Sequence, residues 1–63
     1  MSGGIIIQRA KVLLVTVTDH CFYNMLKPNT KSAVDAIDAK DPAARTQADC
    51  NTLVAAIAEA NGC

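Results

Sequence analysis

The run Ile5-Ile6-Ile7-Gln8-Arg9-Ala10-Lys11-Val12-Leu13-Leu14-Val15-Thr16-Val17-Thr18 constrains this chain more than any other segment. It is dense in β-branched residues, which suit a pleated strand better than a helix. No Gly, Pro, Asn or Asp falls inside it, so no tight hairpin turn is signalled. Everything after Pro28 reads as helix or turn, which leaves such a strand without an internal partner. An unpaired strand edge recruits another chain. The pattern predicts an α/β (α+β) fold: one N-terminal β-strand or a split strand pair, then two helices, with the sheet completed by another chain.

Alternation along the run assigns its faces. One carries Ile5, Ile7, Leu13, Val15 and Val17 with Arg9 and Lys11; the other carries Ile6, Gln8, Ala10, Val12, Leu14, Thr16 and Thr18. The far half is apolar on both faces, so Val12, Leu13, Leu14, Val15 and Val17 are the expected interface, while Gln8 to Lys11 touches water. A bend near Arg9-Ala10 would split the run in two.

Punctuation organises the rest. Residues 1–4 form a flexible lead to a single domain spanning 1–63. Phe22 to Leu26 reads either as a helical turn or as strand continuing past a kink. Pro28 biases Lys27 away from helix, and Thr30 or Ser32 can cap a helix through about Ala39 with Val34 and Ile37 inward. Asp35 and Asp38 fall on its outer side. Two starts compete for the last helix: Asp41-Pro42, and the capping box Thr46-Gln47-Ala48-Asp49. Its apolar stripe is Cys50, Leu53, Val54 and Ile57, and Asn61-Gly62 is its stop signal.

Size and charge narrow the function classes. A 63-residue chain has a small core, and eleven of its hydrophobic residues are alanines. Domains this small are often marginal without disulfides, metal or partners. Six basic and six acidic residues cancel, so no electrostatic footprint for nucleic acid exists. Near-zero net charge favours association. No apolar stretch approaches the ~20 residues of a transmembrane helix. Arg9 and Lys11 interrupt the only region that could act as a signal peptide, so none is expected.

The polar chemistry is thin. His20 beside Cys21 suggests a base and a nucleophile, but neighbours on an extended strand point to opposite faces, so no catalytic role is expected. Cys21, Cys50, Cys63 and His20 would suffice for zinc, yet the chain lacks the close CxxC pairs that orient two ligands at once. No metal and no cofactor is expected. All three cysteines are disulfide candidates. A straight last helix would hold Cys50 about 19 Å from Cys63, leaving Cys21 with either one. Terminal Cys63 is the best candidate for an interchain bridge, and three unpaired thiols remain the alternative. Oxidised cysteines would imply secretion. Ala43, Ala44, Ala48, Ala55, Ala56, Ala58 and Ala60 either admit a close neighbour or serve as plain helix formers.

The segment Asp41-Pro42, Thr46-Gln47-Ala48-Asp49-Cys50-Asn51-Thr52-Leu53 and Ile57-Ala58 resembles the last helix of phycobiliprotein β subunits. The matching cysteine there carries a linear tetrapyrrole. The likeness covers less than a third of the chain, and the strand-like opening departs from that all-helical family, so no chromophore is carried over to Cys50. The step Asp49-Cys50-Asn51-Thr52-Leu53 also looks like helix starts in subunits of processed fungal killer toxins and small secreted effectors. The expected function is a non-catalytic interaction subunit, its strand completing a sheet with a protein partner or a second copy. The alternative is a small secreted disulfide-bonded toxin or effector polypeptide, including one subunit of a processed two-chain protein.

Overall fold

In the computed structural model, which describes residues 2–60, the expected strand is a helix. The order is α1 (Ser2–Val17), α2 (His20–Asn24), α3 (Pro28–Ala39), a 3₁₀ turn (Pro42–Ala44) and α4 (Gln47–Glu59). No strand occurs among the described residues, so the α/β fold class is overturned in favour of an all-helical one. α1 also takes in Ser2 to Gly4, the expected lead.

The physical reason lies in the backbone. A lone strand leaves its N–H and C=O groups unpaired, whereas a helix pairs all but those at its ends internally. Helix propensities of Val, Ile and Thr trail that of Ala by only a few tenths of a kcal/mol per residue, a deficit that packing easily overrides. The run also holds a helical stripe. Ala10, Leu14 and Val17 are buried, with Ile6 and Leu13 packed against them. Those five positions lie at i, i+4, i+7, i+8 and i+11, one face of a helix.

That face packs chiefly on α4. From α4 come Cys50, Leu53, Ala56 and Ala60; from α3, Val34 and Ile37; and Leu26 closes the cluster from the α2–α3 connection. Leu53, Val17 and Val34 are the bulkiest of the fully enclosed side chains besides Cys50. Each contributes roughly 1.5–3 kcal/mol over its exposed state. Ala56 and Ala60 are buried, the other five alanines of the 43–60 set exposed. Val54, expected on the apolar stripe, is 53% exposed.

The helix ends are tied by specific groups. Asp19 accepts from the Cys21 N–H at 3.1 Å and opens α2, which settles the ambiguous Phe22 segment as largely helical. Pro28 is the first residue of α3, and Lys27, the N-cap, offers no side-chain cap. Neither Thr30 nor Ser32 caps it. Instead Glu59, at the end of α4, accepts from the Lys27 N–H at 3.0 Å and from the Thr30 hydroxyl at 2.6 Å. Arg45 donates to the Ile37 and Asp38 carbonyls at 3.0 and 3.1 Å, covering the exit of α3. The two rival starts for α4 divide the work. Asp41-Pro42 opens the 3₁₀ turn, and Thr46 with Asp49 forms the capping box of α4. The Asn61-Gly62 stop lies outside the described residues.

Candidate protein-interaction site

The same helix that supplies the core presents apolar side chains to solvent on its opposite side. Ile5, Val12 and Val15 are 64%, 65% and 69% exposed, although all three are branched and apolar. With exposed Gln8 they occupy positions 5, 8, 12 and 15, a 3-4-3 spacing that keeps all four on one side of α1. A shallow groove on this side is lined by Ile5, Gln8, Arg9, Val12 and Leu13. Four of these, Ile5, Gln8, Arg9 and Val12, stand at i, i+3, i+4 and i+7. Such a diamond is the hole that receives one side chain of a neighbouring helix in knobs-into-holes packing.

The expected interface set is therefore split. Val12 and Val15 face solvent, and Leu13 lies half-buried at the boundary. Leu14 and Val17 are core residues. The cause is periodicity: in a strand adjacent residues take opposite faces, whereas in a helix residues 14 and 17 return to one side and 12 and 15 to the other. Sequence reasoning missed Ile5 and Gln8 as members of this face. The 3-4-3 recurrence could have revealed them had the run been tested at helical period.

The electrostatics of the face are one-sided. Arg9 and Lys11 are the only charged residues of α1 and both are exposed, flanking the apolar row. The carboxylates with shifted acidity lie elsewhere. Asp49 is held below the usual carboxylate range, first by the Lys40 ammonium at 2.7 Å and then by the Thr46 N–H. Glu59 is likewise lowered, by the Thr30 hydroxyl and the Lys27 N–H. The Tyr23 hydroxyl donates to both Asp35 oxygens at 2.8 and 2.9 Å, which raises its pKa. Lys31 sits 5.4 Å from the same ring centroid, joining α2 to α3 through a cation–π contact.

The cysteines are unlike one another. Cys21 is disulfide-bonded. Cys50 is a free, buried thiol whose Sγ lies 3.8 Å from the Ile6 carbonyl. A Cys21–Cys50 bridge is therefore not formed, three unpaired thiols are excluded, and Cys63 lies outside the described residues. Burial of Cys50 in the α1–α4 core leaves no room for a tetrapyrrole there without displacing α1. No group of three or more metal-ligating side chains occurs among the described residues. His20 is exposed beside Asn24, whose amide nitrogen stands 3.2 Å from Nε2. Among the described residues no helix is long and apolar enough to cross a membrane. Compared with protein-family models, curated proteins and solved structures, the chain matches none.

Proposed function

We propose that this chain is a non-catalytic protein-interaction module that receives a partner helix along the outer side of α1. The observation that carries the reading is the exposed row Ile5, Val12 and Val15, of which Ile5 and Val12 line a groove with the residue spacing of a helix-docking hole. Branched apolar side chains gathered on one side of a helix and left in water are candidate contact points. Helix docking takes the place of strand addition, because the residues expected to pair as a strand are helical. A catalytic reading of the His20–Cys21 pair loses its nucleophile, since Cys21 is held in a disulfide.

Two probes test the reading: the chain itself at rising concentration, and a synthetic amphipathic peptide with apolar residues at 3-4-3 spacing and glutamates flanking them. Association with at least one probe is expected, abolished by Val12→Lys while the melting temperature stays unchanged. Absence of Val12-dependent association with both would overturn it.

A second reading, a secreted disulfide-bonded toxin or effector polypeptide, is supported by the Cys21 disulfide. Persistent disulfides belong to oxidising compartments. Intact-mass measurement of the native chain, with and without reductant, tests it; a fully reduced chain on isolation from its source would overturn it.

A further inference from the structure

We infer that the helix received on the outer side of α1 is an acidic one, with an apolar row for the groove and carboxylates on both of its flanks. The inference rests on the helix-docking reading above and adds the chemistry of the occupant. At 3.6 residues per turn, Arg9 and Lys11 fall on opposite flanks of the row Ile5, Gln8, Val12 and Val15, each about 80° from its middle. Only two residues separate them, about 3 Å of rise, so both stand beside the same turn. Both are exposed, and Arg9 itself lines the groove. Charges at such flanking positions are the ones that set partner choice between paired helices.

The chain is neutral as a whole but not on this face. α1 holds no carboxylate, and the ion pair among the described residues joins Lys40 to Asp49, leaving Arg9 and Lys11 unpaired. Five of the six carboxylates already have work inside the fold. Asp19 and Asp41 cap the segments that follow them, and Asp35 accepts from the Tyr23 hydroxyl. Asp49 holds Lys40, and Glu59 accepts from Lys27 and Thr30. The sixth, Asp38, stands on α3. The counter-charge for the flanks of the row is thus left for a partner to bring. A second copy would bring the same two cations and no carboxylate on its α1.

The donors suit carboxylates. The Arg9 guanidinium is a planar fork that matches a carboxylate with two parallel hydrogen bonds, and Lys11 offers a compact ammonium. Gln8, the polar member of the row, adds two amide N–H donors between them. An anionic lipid surface shares the charge but not the shape. The diamond of Ile5, Gln8, Arg9 and Val12 receives one side chain of a helix, and attachment to lipid by charge uses clusters of about four to eight basic residues rather than two. Because Arg9 and Lys11 lie at the rim of the contact, they act on selectivity and encounter more than on total affinity, and salt screens them.

Three labelled amphipathic peptides test the inference, identical in their apolar 3-4-3 row and flanked by Glu, Gln or Lys. Each is titrated with the full chain by fluorescence anisotropy, at low salt and at about 0.5 M salt. The Glu-flanked peptide should bind at least about tenfold more tightly than the Lys-flanked one at low salt, with the ratio falling toward one at high salt. The double variant Arg9→Gln with Lys11→Gln should lose most of that preference while its circular dichroism matches the wild type, since both side chains are exposed. Val12-dependent binding of all three peptides alike, or tighter binding of the Lys-flanked one, would overturn the acidic partner and leave the helix-docking reading standing. Val12-dependent self-association in sedimentation, with none of the peptides bound, would do the same. Binding only to vesicles of mixed phosphatidylcholine and phosphatidylglycerol, or to nothing offered, would overturn both.

Discussion

The two sides of α1 are built from nearly the same residue types and meet opposite fates. Ile6, Ala10, Leu13, Leu14 and Val17 lie on or against the core, while Ile5, Val12 and Val15 stand in water. Hydrophobicity does not separate them. What separates them is where α4 lies, and α4 covers a strip only one helix face wide. The contrast teaches that an apolar residue is in the core because something packs on it, not because of its type alone; the uncovered row is where the proposed interaction would fall.

The largest test of that contrast is truncation on the inner side. Leu14→Ala, and equally Leu53→Ala on the facing helix, should destabilise by about 2–5 kcal/mol in chemical denaturation, because both side chains are enclosed. In a domain with only about 5 kcal/mol of total stability, a cost at the upper end of that range unfolds a large share of molecules. A cost under 1 kcal/mol for Leu14→Ala would break the inner–outer distinction. Enlarging Ala10, which is fully buried on α1, should cost about 1–3 kcal/mol as Ala10→Leu, since the filled core has no space for three more carbons.

Caps contribute less. Thr46→Ala removes the hydroxyl that accepts from the Asp49 N–H and should cost about 1 kcal/mol. Acid sharpens the contrast by region. Asp49 and Glu59 both have lowered folded pKa values, so their stabilisation is present above the unfolded carboxylate pKa of about 4 and is lost as pH falls through the folded values. α1 contains no carboxylate. Amide exchange followed by NMR below pH 4 should therefore rise first at the start of α3 and the ends of α4, with the middle of α1 following later. Glu59→Gln should remove the part of this response that appears at Lys27. The smallest effect belongs to the outer side: Val12→Ala at low protein concentration should shift stability by no more than about 0.5 kcal/mol.

α4 and α1 differ in how well they can be read. The capping box Thr46–Asp49 and the Cys50–Leu53 step are local signals that stand where the sequence places them, whereas α3 starts at Pro28, ahead of the cap expected at Thr30 or Ser32. In α1 nearly every position is apolar or β-branched, so period-2 and period-3.6 patterns both fit, and propensity tips the reading toward strand. The candidate site inherits that error. Of the expected interface set, Val12 and Val15 are exposed while Leu14 and Val17 are in the core, and Ile5 and Gln8 were not legible as members of the exposed face. Val54 fails for a related reason. The buried strip of α4 runs through Cys50, Leu53, Ala56 and Ala60, small residues among them, which lets the neighbouring helix come close and leaves Val54 beyond its edge.

The sequence by itself determined that helices fill the second half, because prolines, capping residues and i, i+3 stripes act within a single turn of chain. It also determined the small core, the neutral charge and the lack of acidic groups beside Arg9 and Lys11. Only the tertiary structure decided that residues 5–18 are predominantly helical, which side of that helix is the core, that Glu59 caps α3 from α4, and that Cys50 is left as a free thiol. Those outcomes depend on contacts between residues far apart in the chain. Their free energies exceed the few tenths of a kcal/mol by which local propensity separates helix from strand.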